Sequence, residues 1–261
     1  MKTPVVTIFV IFILAIGIGL AIYDYSKHGP RQGNSDISKS EAETLKETKL
    51  SGDEQAYKGS YEKAIEKYKH ALKISPRDAY IHNDLGTAYY HLGLEKADPP
   101  MTEDQFDFGI EVDARRVEET ETVLQMFENA EEKTKSGIIT IVVDEPEIKD
   151  TVVNKALAED YYAHAETETQ ENKKEYWITV IKGETKEAFL NAEKEYLEAI
   201  DIKSVRDAEG RKYSSYSTAS RNLGVLYFRM GRKKDAVEQW RRAFQLEPTD
   251  AELRNLLGKY E

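Results

Sequence analysis

Three stretches of the chain carry one pattern, Ala-x3-aromatic-x2-Ala: Ala64, Tyr68 and Ala71; Ala192, Tyr196 and Ala199; Ala236, Trp240 and Ala243. A second pattern, Leu-Gly-x2-Tyr, joins Leu85-Gly86 to Tyr89 and Leu223-Gly224 to Tyr227. Both spacings gather their residues on one face of an α-helix. Small residues beside an aromatic on that face mark a close helix–helix crossing. Only Gly or Ala lets the two backbones approach there, and the ring fills the adjoining groove. The chain therefore reads as helical hairpins with a period of about 34 residues. Such a hairpin cannot bury its apolar face alone, so copies must stack.

These units resemble the tetratricopeptide repeat (TPR) family. The first runs from about Leu45 to Asp78, with Gly52 at the small position of helix A and Gly59 at the turn. Its helix B carries Ala64, Tyr68 and Ala71, and Pro76 closes it because proline cannot continue a helix. The second opens with Asp78 as N-cap, carries Leu85, Gly86 and Tyr89, and is expected to turn at Gly93. Its helix B follows only about 94 residues later, as Phe189, Ala192, Tyr196 and Ala199. The third comprises Leu223, Gly224, Tyr227, Gly231, Ala236, Trp240, Ala243 and Pro248, and a capping helix follows from Asp250 through Leu257. Leu85 and Leu223 are 138 positions apart, which leaves about ten further residues, placed in the polar stretch around Arg206–Arg211.

The fold class expected is mainly α. It is a TPR helix-turn-helix solenoid of about three repeats plus a capping helix, interrupted by a helix–strand (α/β) insertion, with a single N-terminal transmembrane helix. The expected organisation is a transmembrane anchor at 4–23, a flexible tether at 24–40, and the first unit with helix A of the second at 41–94. The insertion takes 95–185, helix B of the second unit 186–204, the third unit 217–250 and the capping helix 251–261. Ser40-x2-Glu43 reads as the capping box that starts the first helix.

The anchor rests on Pro4–Tyr23, which holds no charged residue. About twenty apolar residues rise roughly 30 Å as a helix, the thickness of a bilayer's hydrocarbon core. A cleaved secretory signal is the alternative, although its apolar region is shorter, at about 7–15 residues. Localisation is thus expected at a membrane, single-pass, with the body outside the cytoplasm on a bacterial periplasmic side. Ala15-x3-Gly19 and Gly17-x3-Ala21 would let two anchors pack into a homo-oligomer.

Inside the insertion, Asp104–Asp113 reads as loop and Ala114–Lys135 as helix, with Val117, Val123, Leu124 and Phe127 near helical spacing. Ile138–Val143 is β-branched and reads as a strand, Val152–Thr167 as a helix and Tyr176–Ile181 as a second strand. Strand, crossover helix and strand imply a parallel pair. The alternative makes Leu157-Ala158-x2-Tyr161 a degenerate helix A among decayed repeats.

Composition excludes several functions. A net charge of −11 argues against nucleic acid, because phosphate binding needs clustered Lys and Arg. The absence of cysteine excludes disulfides, thiolate metal sites, a Cys nucleophile and covalent haem attachment. Asp160-x3-His164 would place a carboxylate and an imidazole on one helical face, but a metal site needs at least three ligands. No catalytic motif or phosphate-cradling glycine loop is present, so neither an enzyme nor a cofactor or metal is expected. Charge is uneven: Glu118, Glu119, Glu121, Glu128, Glu131 and Glu132 crowd the insertion, while the third repeat carries Arg229, Arg232, Lys233, Lys234, Arg241 and Arg242. These read as solvated faces, as two faces for oppositely charged partners, or as the insertion docking on the last repeat.

The resemblance implies a binding groove lined by helix A. Carried over by position, its residues are Tyr80, Asn83, Thr87, Tyr90 and His91 in the second unit and Thr218, Arg221, Val225, Phe228 and Arg229 in the third. In the first unit they are Lys49, Asp53 and Tyr57. Aromatic, Asn and Arg side chains suit an extended peptide, with Tyr90, Phe228, Arg221 and Arg229 as anchors and Asn83 as an orienting amide. A clamp for a C-terminal carboxylate, known in some family members, is not expected. Lys49 fits it, but Asp53 and Asp84 replace its Asn residues, and Thr218 and Asn222 stand where its later cations belong. The function expected is a non-catalytic scaffold or adaptor at a membrane, recruiting protein or peptide partners through the groove, the insertion or both. The alternative is a permanent structural or assembly subunit of a membrane-associated complex.

Overall fold

The computed structural model describes residues 37–97, 100, 110–113, 136–170, 173–206, 212–214 and 216–260. They fall into two compact units divided between Asp78 and Ala79.

In the first unit, helix α1 (Lys39–Tyr57) and helix α2 (Tyr61–Ile74) form a hairpin. The capping box that starts α1 is Ser38 with Glu41, not Ser40 with Glu43. The Ser38 backbone N–H donates to Glu41 Oε2 at 2.8 Å, and the Glu41 N–H donates back to Ser38 Oγ at 3.3 Å. Two such boxes overlap in the sequence, and the upstream one adds half a turn of helix. Its hydrogen bonds from Ser38 hold the Glu41 carboxyl below the usual carboxylate range. The chain reverses at Gly59, whose φ of +72° is the left-handed conformation glycine adopts freely.

The second unit holds helices α3 (Ala79–Lys96), α5 (Gly183–Ile202), α6 (Ser217–Arg229), α7 (Lys233–Leu246) and α8 (Ala251–Tyr260). Between α3 and α5 lie strand β1 (Ile110–Asp113), strand β2 (Gly137–Val143), helix α4 (Pro146–Ala158), strand β3 (Tyr162–Gln170) and strand β4 (Lys173–Lys182). Strands β5 (Ser204–Arg206) and β6 (Lys212–Ser214) pair antiparallel between α5 and α6, where a polar loop was expected.

One crossing recurs in three places. A Cβ added to Gly52 would stand 2.6 Å from the Tyr68 ring, one on Gly86 2.8 Å from Tyr196, and one on Gly224 2.5 Å from Trp240. These are the small and aromatic positions of helix A and helix B, so α5 is the partner of α3 despite the residues between them. Gly93 does not make the expected turn. It is buried inside α3, where its missing side chain admits Phe189 of α5. The chain leaves into the sheet beyond it, so no left-handed turn is needed at that point. At the end of the stack α8 is capped by Asp250, whose Oδ1 accepts from the Glu252 and Leu253 amides at 2.9 and 3.0 Å. It buries Leu253 and Leu257 and sets the Tyr260 ring 4.5 Å from that of Phe228.

The inserted strands form one sheet in the order β1-β2-β4-β3. The expected parallel pair is corrected. β2 runs antiparallel to β4, with Ile139 opposite Val180, and its parallel neighbour is β1, from a stretch expected as loop. The expected helix over Val152–Thr167 is two elements, because α4 ends at Ala158 and Tyr162–Thr167 belongs to β3. Asp160, with φ of 58°, turns the chain between them. Pairing with β4 decides the outcome: Ala163 and Ala165 sit opposite Val180 and Ile178 on the face that α4 covers. That face is a core of Ile139, Ile141, Ile178 and Val180 against Ile148, Val152 and Ala156. The helix expected at 114–135 lies outside the described residues.

The membrane expectation is also corrected. Among the described residues no helix is long and apolar enough to cross a membrane, and the span expected at 4–23 lies outside them. What stands is a mainly α, TPR-like solenoid with a helix–strand insertion. The transmembrane helix, the single-pass membrane localisation with an extracytoplasmic body, the membrane as partner and the homo-oligomer through an anchor are not carried further.

Candidate functional site

Helices α3 and α6 are the helix A elements of the second unit, and a matched pair of polar contacts joins them. Asn222 Nδ2 donates to Asn83 Oδ1 at 3.1 Å, and Arg229 Nε donates to the Tyr90 hydroxyl at 3.3 Å. Asn83 and Tyr90 are two helical turns apart, as are Asn222 and Arg229, so both contacts fall on the same pair of stripes. The Tyr80 and Tyr216 rings meet edge-on at 5.3 Å near the start of the two helices, and Lys203 Nζ stands 4.6 Å from the Tyr80 centroid.

The residues expected to line the groove divide by depth. Asn83, Tyr90, Phe228 and Arg229 are buried, Arg229 to 2% exposure. Tyr90 stacks on Phe189 at 5.8 Å, while Phe228 packs against Trp240 and Tyr260. These expected anchors thus act inside the fold. Tyr80, Thr87, His91, Thr218, Arg221 and Val225 are half-buried and reach solvent. Thr87 accepts from the Tyr196 hydroxyl at 3.2 Å and donates to the Asn83 carbonyl at 3.0 Å. Arg221 Nη1 lies 3.6 Å from Asp250 and 3.5 Å from Glu252, which ties it to the start of α8. In the first unit Lys49 is buried with Nζ 3.0 Å from Asp53, and Asp53 also accepts from the Tyr68 hydroxyl at 2.8 Å; Tyr57 is exposed.

The cations of the third repeat meet the sheet. Lys233 pairs with Glu168 of β3 and stands 4.7 Å from the Trp177 ring centroid, and the Lys234 amide donates to Glu166 at 3.2 Å. Arg232 bonds Glu193 of α5 at 2.7 Å and Asp235 at 2.6 Å, with its guanidinium 3.8 Å from the Tyr227 centroid. Burial works against the Arg232 charge, but the Asp235 and Glu193 carboxylates outweigh it and hold the group above its ordinary value. Burial pushes the Tyr162 and Tyr227 hydroxyls well up. Insertion and last repeat therefore dock, through Glu166 and Glu168; the acids from Glu118 to Glu132 lie outside the described residues. The alternation of β3, which aims Tyr162, His164, Glu166 and Glu168 to one side, was the readable signal for this.

The carboxylate–imidazole pair is not on one helix. Asp160 sits exposed on the turn after α4 and holds Lys186 at 3.0 Å, while His164 on β3 faces Glu166 at 3.6 Å. Among the described residues no group of three or more His, Cys, Asp or Glu is arranged to hold a metal ion.

Two segments match known families: residues 52–93 match the TPR repeat family and residues 217–250 the tetratricopeptide repeat family. No curated protein sequence matches the chain. Solved structures similar to it include the Arabidopsis OM64 TPR domain, at 12% identity and a TM-score of 0.42 over 85% of this chain and 97% of that one. The first TPR of Spaghetti (RPAP3), solved with an HSP90 peptide, has 13% identity and a TM-score of 0.41 over 84% and 90% of the two chains. A TPR protein of Thermus thermophilus has 16% identity and a TM-score of 0.31 over 98% and 94%. The segments 52–93 and 217–250 are thus similar to tetratricopeptide repeats.

Proposed function

We propose that this chain is a non-catalytic interaction module that binds an extended segment of another protein along the helix-A face of α3 and α6. The observation that carries the reading is the Asn83–Asn222 amide pair, in which buried Asn83 holds half-buried Asn222 among side chains that reach solvent. A fixed carboxamide bonds well to a peptide backbone, which has a donor and an acceptor at each residue. Buried Tyr90 and Arg229 hold the two helices at a set distance, and Phe228 fixes α6 against α7. Tyr80, Thr87, His91, Arg221 and Val225 make the contacts, and specificity lies with the aromatic and apolar members. Lys49 belongs to the first unit, and Asp53 offsets its charge, which removes an anion clamp from that position.

Photocrosslinking in cells tests this from probes at Thr87 and Val225, with exposed Leu157 on α4 as comparison. A discrete protein adduct from Thr87 and Val225, lost on Asn222→Ala, is the expected result. Adducts only from Leu157, or adducts at Thr87 that survive Asn222→Ala, would move binding to the insertion and refute the helix-A reading.

A further inference from the structure

A groove of about 990 Å³ opens on the helix-B side of the second unit, with α5 and α7 as its walls and Ser220 of α6 between them. Leu190 and Leu197 of α5 and Leu246 of α7 line it, and they are 39%, 45% and 37% exposed. At its floor the Ser220 hydroxyl is buried and has no hydrogen-bond partner. Half of the exposed large hydrophobic side chains among the described residues are thus gathered in one place. Scattered single leucines on a surface need no explanation, but leucines collected along a groove mark an interaction surface.

The charge pattern of α5 identifies the occupant. The stripe through its two leucines reads Lys186, Leu190, Glu193-Lys194, Leu197, Asp201, with exposed Glu187 and Glu198 beside it. Reversing its direction exchanges Leu190 with Leu197, Glu193 with Lys194 and Lys186 with Asp201. A second copy of α5 laid antiparallel on the first therefore sets leucine on leucine, and opposite charges meet at both ends and at the centre. Such a surface is self-complementary about a two-fold axis, as a closed homodimer requires. The seven-residue leucine spacing is that of a helix–helix seam. Glu193 already holds Arg232 and Lys186 already holds Asp160, so these charges are oriented before any copy arrives. Arg242 lines the opposite wall of the groove, where Glu238 of its own helix holds it.

We infer that α5 is the contact of a homodimer, with the second copy's α5 seated antiparallel in the groove between α5 and α7. This surface is separate from the helix-A face, so the two readings fail independently.

Because the chain contains no cysteine, pairwise disulfide trapping gives a clean test in the intact 261-residue chain. Under mild oxidation a mixture of Leu190→Cys and Leu197→Cys chains links into a covalent dimer, and either variant alone does not. Sedimentation at about 100 µM gives twice the chain mass for the unaltered protein and the single mass for Leu197→Glu, with unchanged circular dichroism and melting. The inference is overturned if the unaltered protein is monomeric at that concentration, which would leave the groove to a helix of another protein. It is equally overturned if Leu190→Cys links to itself as readily as to Leu197→Cys, because the copies would then not be antiparallel. Adducts from Thr87 and Val225 persist in Leu197→Glu in every case if the helix-A reading holds.

Discussion

Two glycines at the same place in their repeats offer an internally controlled test of whether the sheet docks on the last repeat. Gly59 and Gly231 both end a helix A in the left-handed region, with φ of +72° and +75°. A Cβ on Gly59 would meet nothing within 4 Å, whereas one on Gly231 would stand 2.6 Å from Thr179 Cβ on β4. Alanine at Gly59 therefore costs only the left-handed strain of about 1–2 kcal/mol, less about 0.4–1 kcal/mol from the narrowed unfolded ensemble. Alanine at Gly231 adds an overlap with a buried strand, and overpacking of that kind costs about 1–3 kcal/mol. The difference, about 2 kcal/mol, measures the docking itself. Urea unfolding of the two variants, followed by circular dichroism, reads it as a shift in midpoint at constant slope. On heating, 2 kcal/mol in a unit of this size corresponds to roughly 4–8 °C. If Gly231→Ala is no more destabilising than Gly59→Ala, the sheet does not sit on that turn in solution and the docking argument fails. Thr179→Ala removes the atoms beyond Cβ, so the double variant should recover part of the loss but not all of it.

Other substitutions separate packing from surface charge. Trp240→Ala empties a fully buried site beside Gly224, Phe228 and Tyr260 and should cost about 3–5 kcal/mol in denaturant melts. Arg221→Ala breaks two partly exposed bridges and should stay within about 1 kcal/mol. Gly93→Ala places a methyl against the Phe189 ring within regular helix, so it should destabilise by about 1–3 kcal/mol. A neutral or stabilising result there would mean that α3 and α5 do not cross so closely. Burial raises the Tyr162 and Tyr227 hydroxyls in the folded state, so their contribution is fully present below about pH 10, the unfolded value. It is lost as pH rises beyond that, and urea midpoints measured towards pH 11 should fall less steeply in Tyr162→Phe.

The helical hairpins were legible because their signal is local and repeated: each crossing needs a small residue and a ring at fixed spacing. The same signal marked which side of helix A faces a neighbour, but not what fills that side. Tyr90 and Phe228 are buried because Arg229 and Tyr260 reach them, and Arg229 is 139 positions from Tyr90. Strand β3 was hidden for a related reason. Ala163 and Ala165 favour a helix by themselves, and only pairing with β4 makes them strand residues. Gly93 fitted the turn position of its repeat, and its role changed because the chain after it does not turn.

The position of the insertion follows from the same crossings. Between the helices of a repeat, only the turn can be opened without separating a glycine from its aromatic, and the Gly86–Tyr196 contact survives the interruption intact. Lengthening a three-residue turn to the span between Lys96 and Gly183 is nearly five doublings of loop length. At about 0.6 kcal/mol each, the closure cost rises by only about 3 kcal/mol. The inserted sheet offsets that cost with a core of its own, in which Ile139, Ile141, Ile178 and Val180 are each fully buried. It also returns the chain where it is needed: β4 runs directly into α5, and Ser136 beside β2 accepts the Thr185 amide of α5 at 3.0 Å. A folded insertion at a turn can therefore leave α3 and α5 paired as an uninterrupted repeat would pair them. Through Thr179 and Glu168 it also gains a contact with the next repeat that a three-residue turn does not reach.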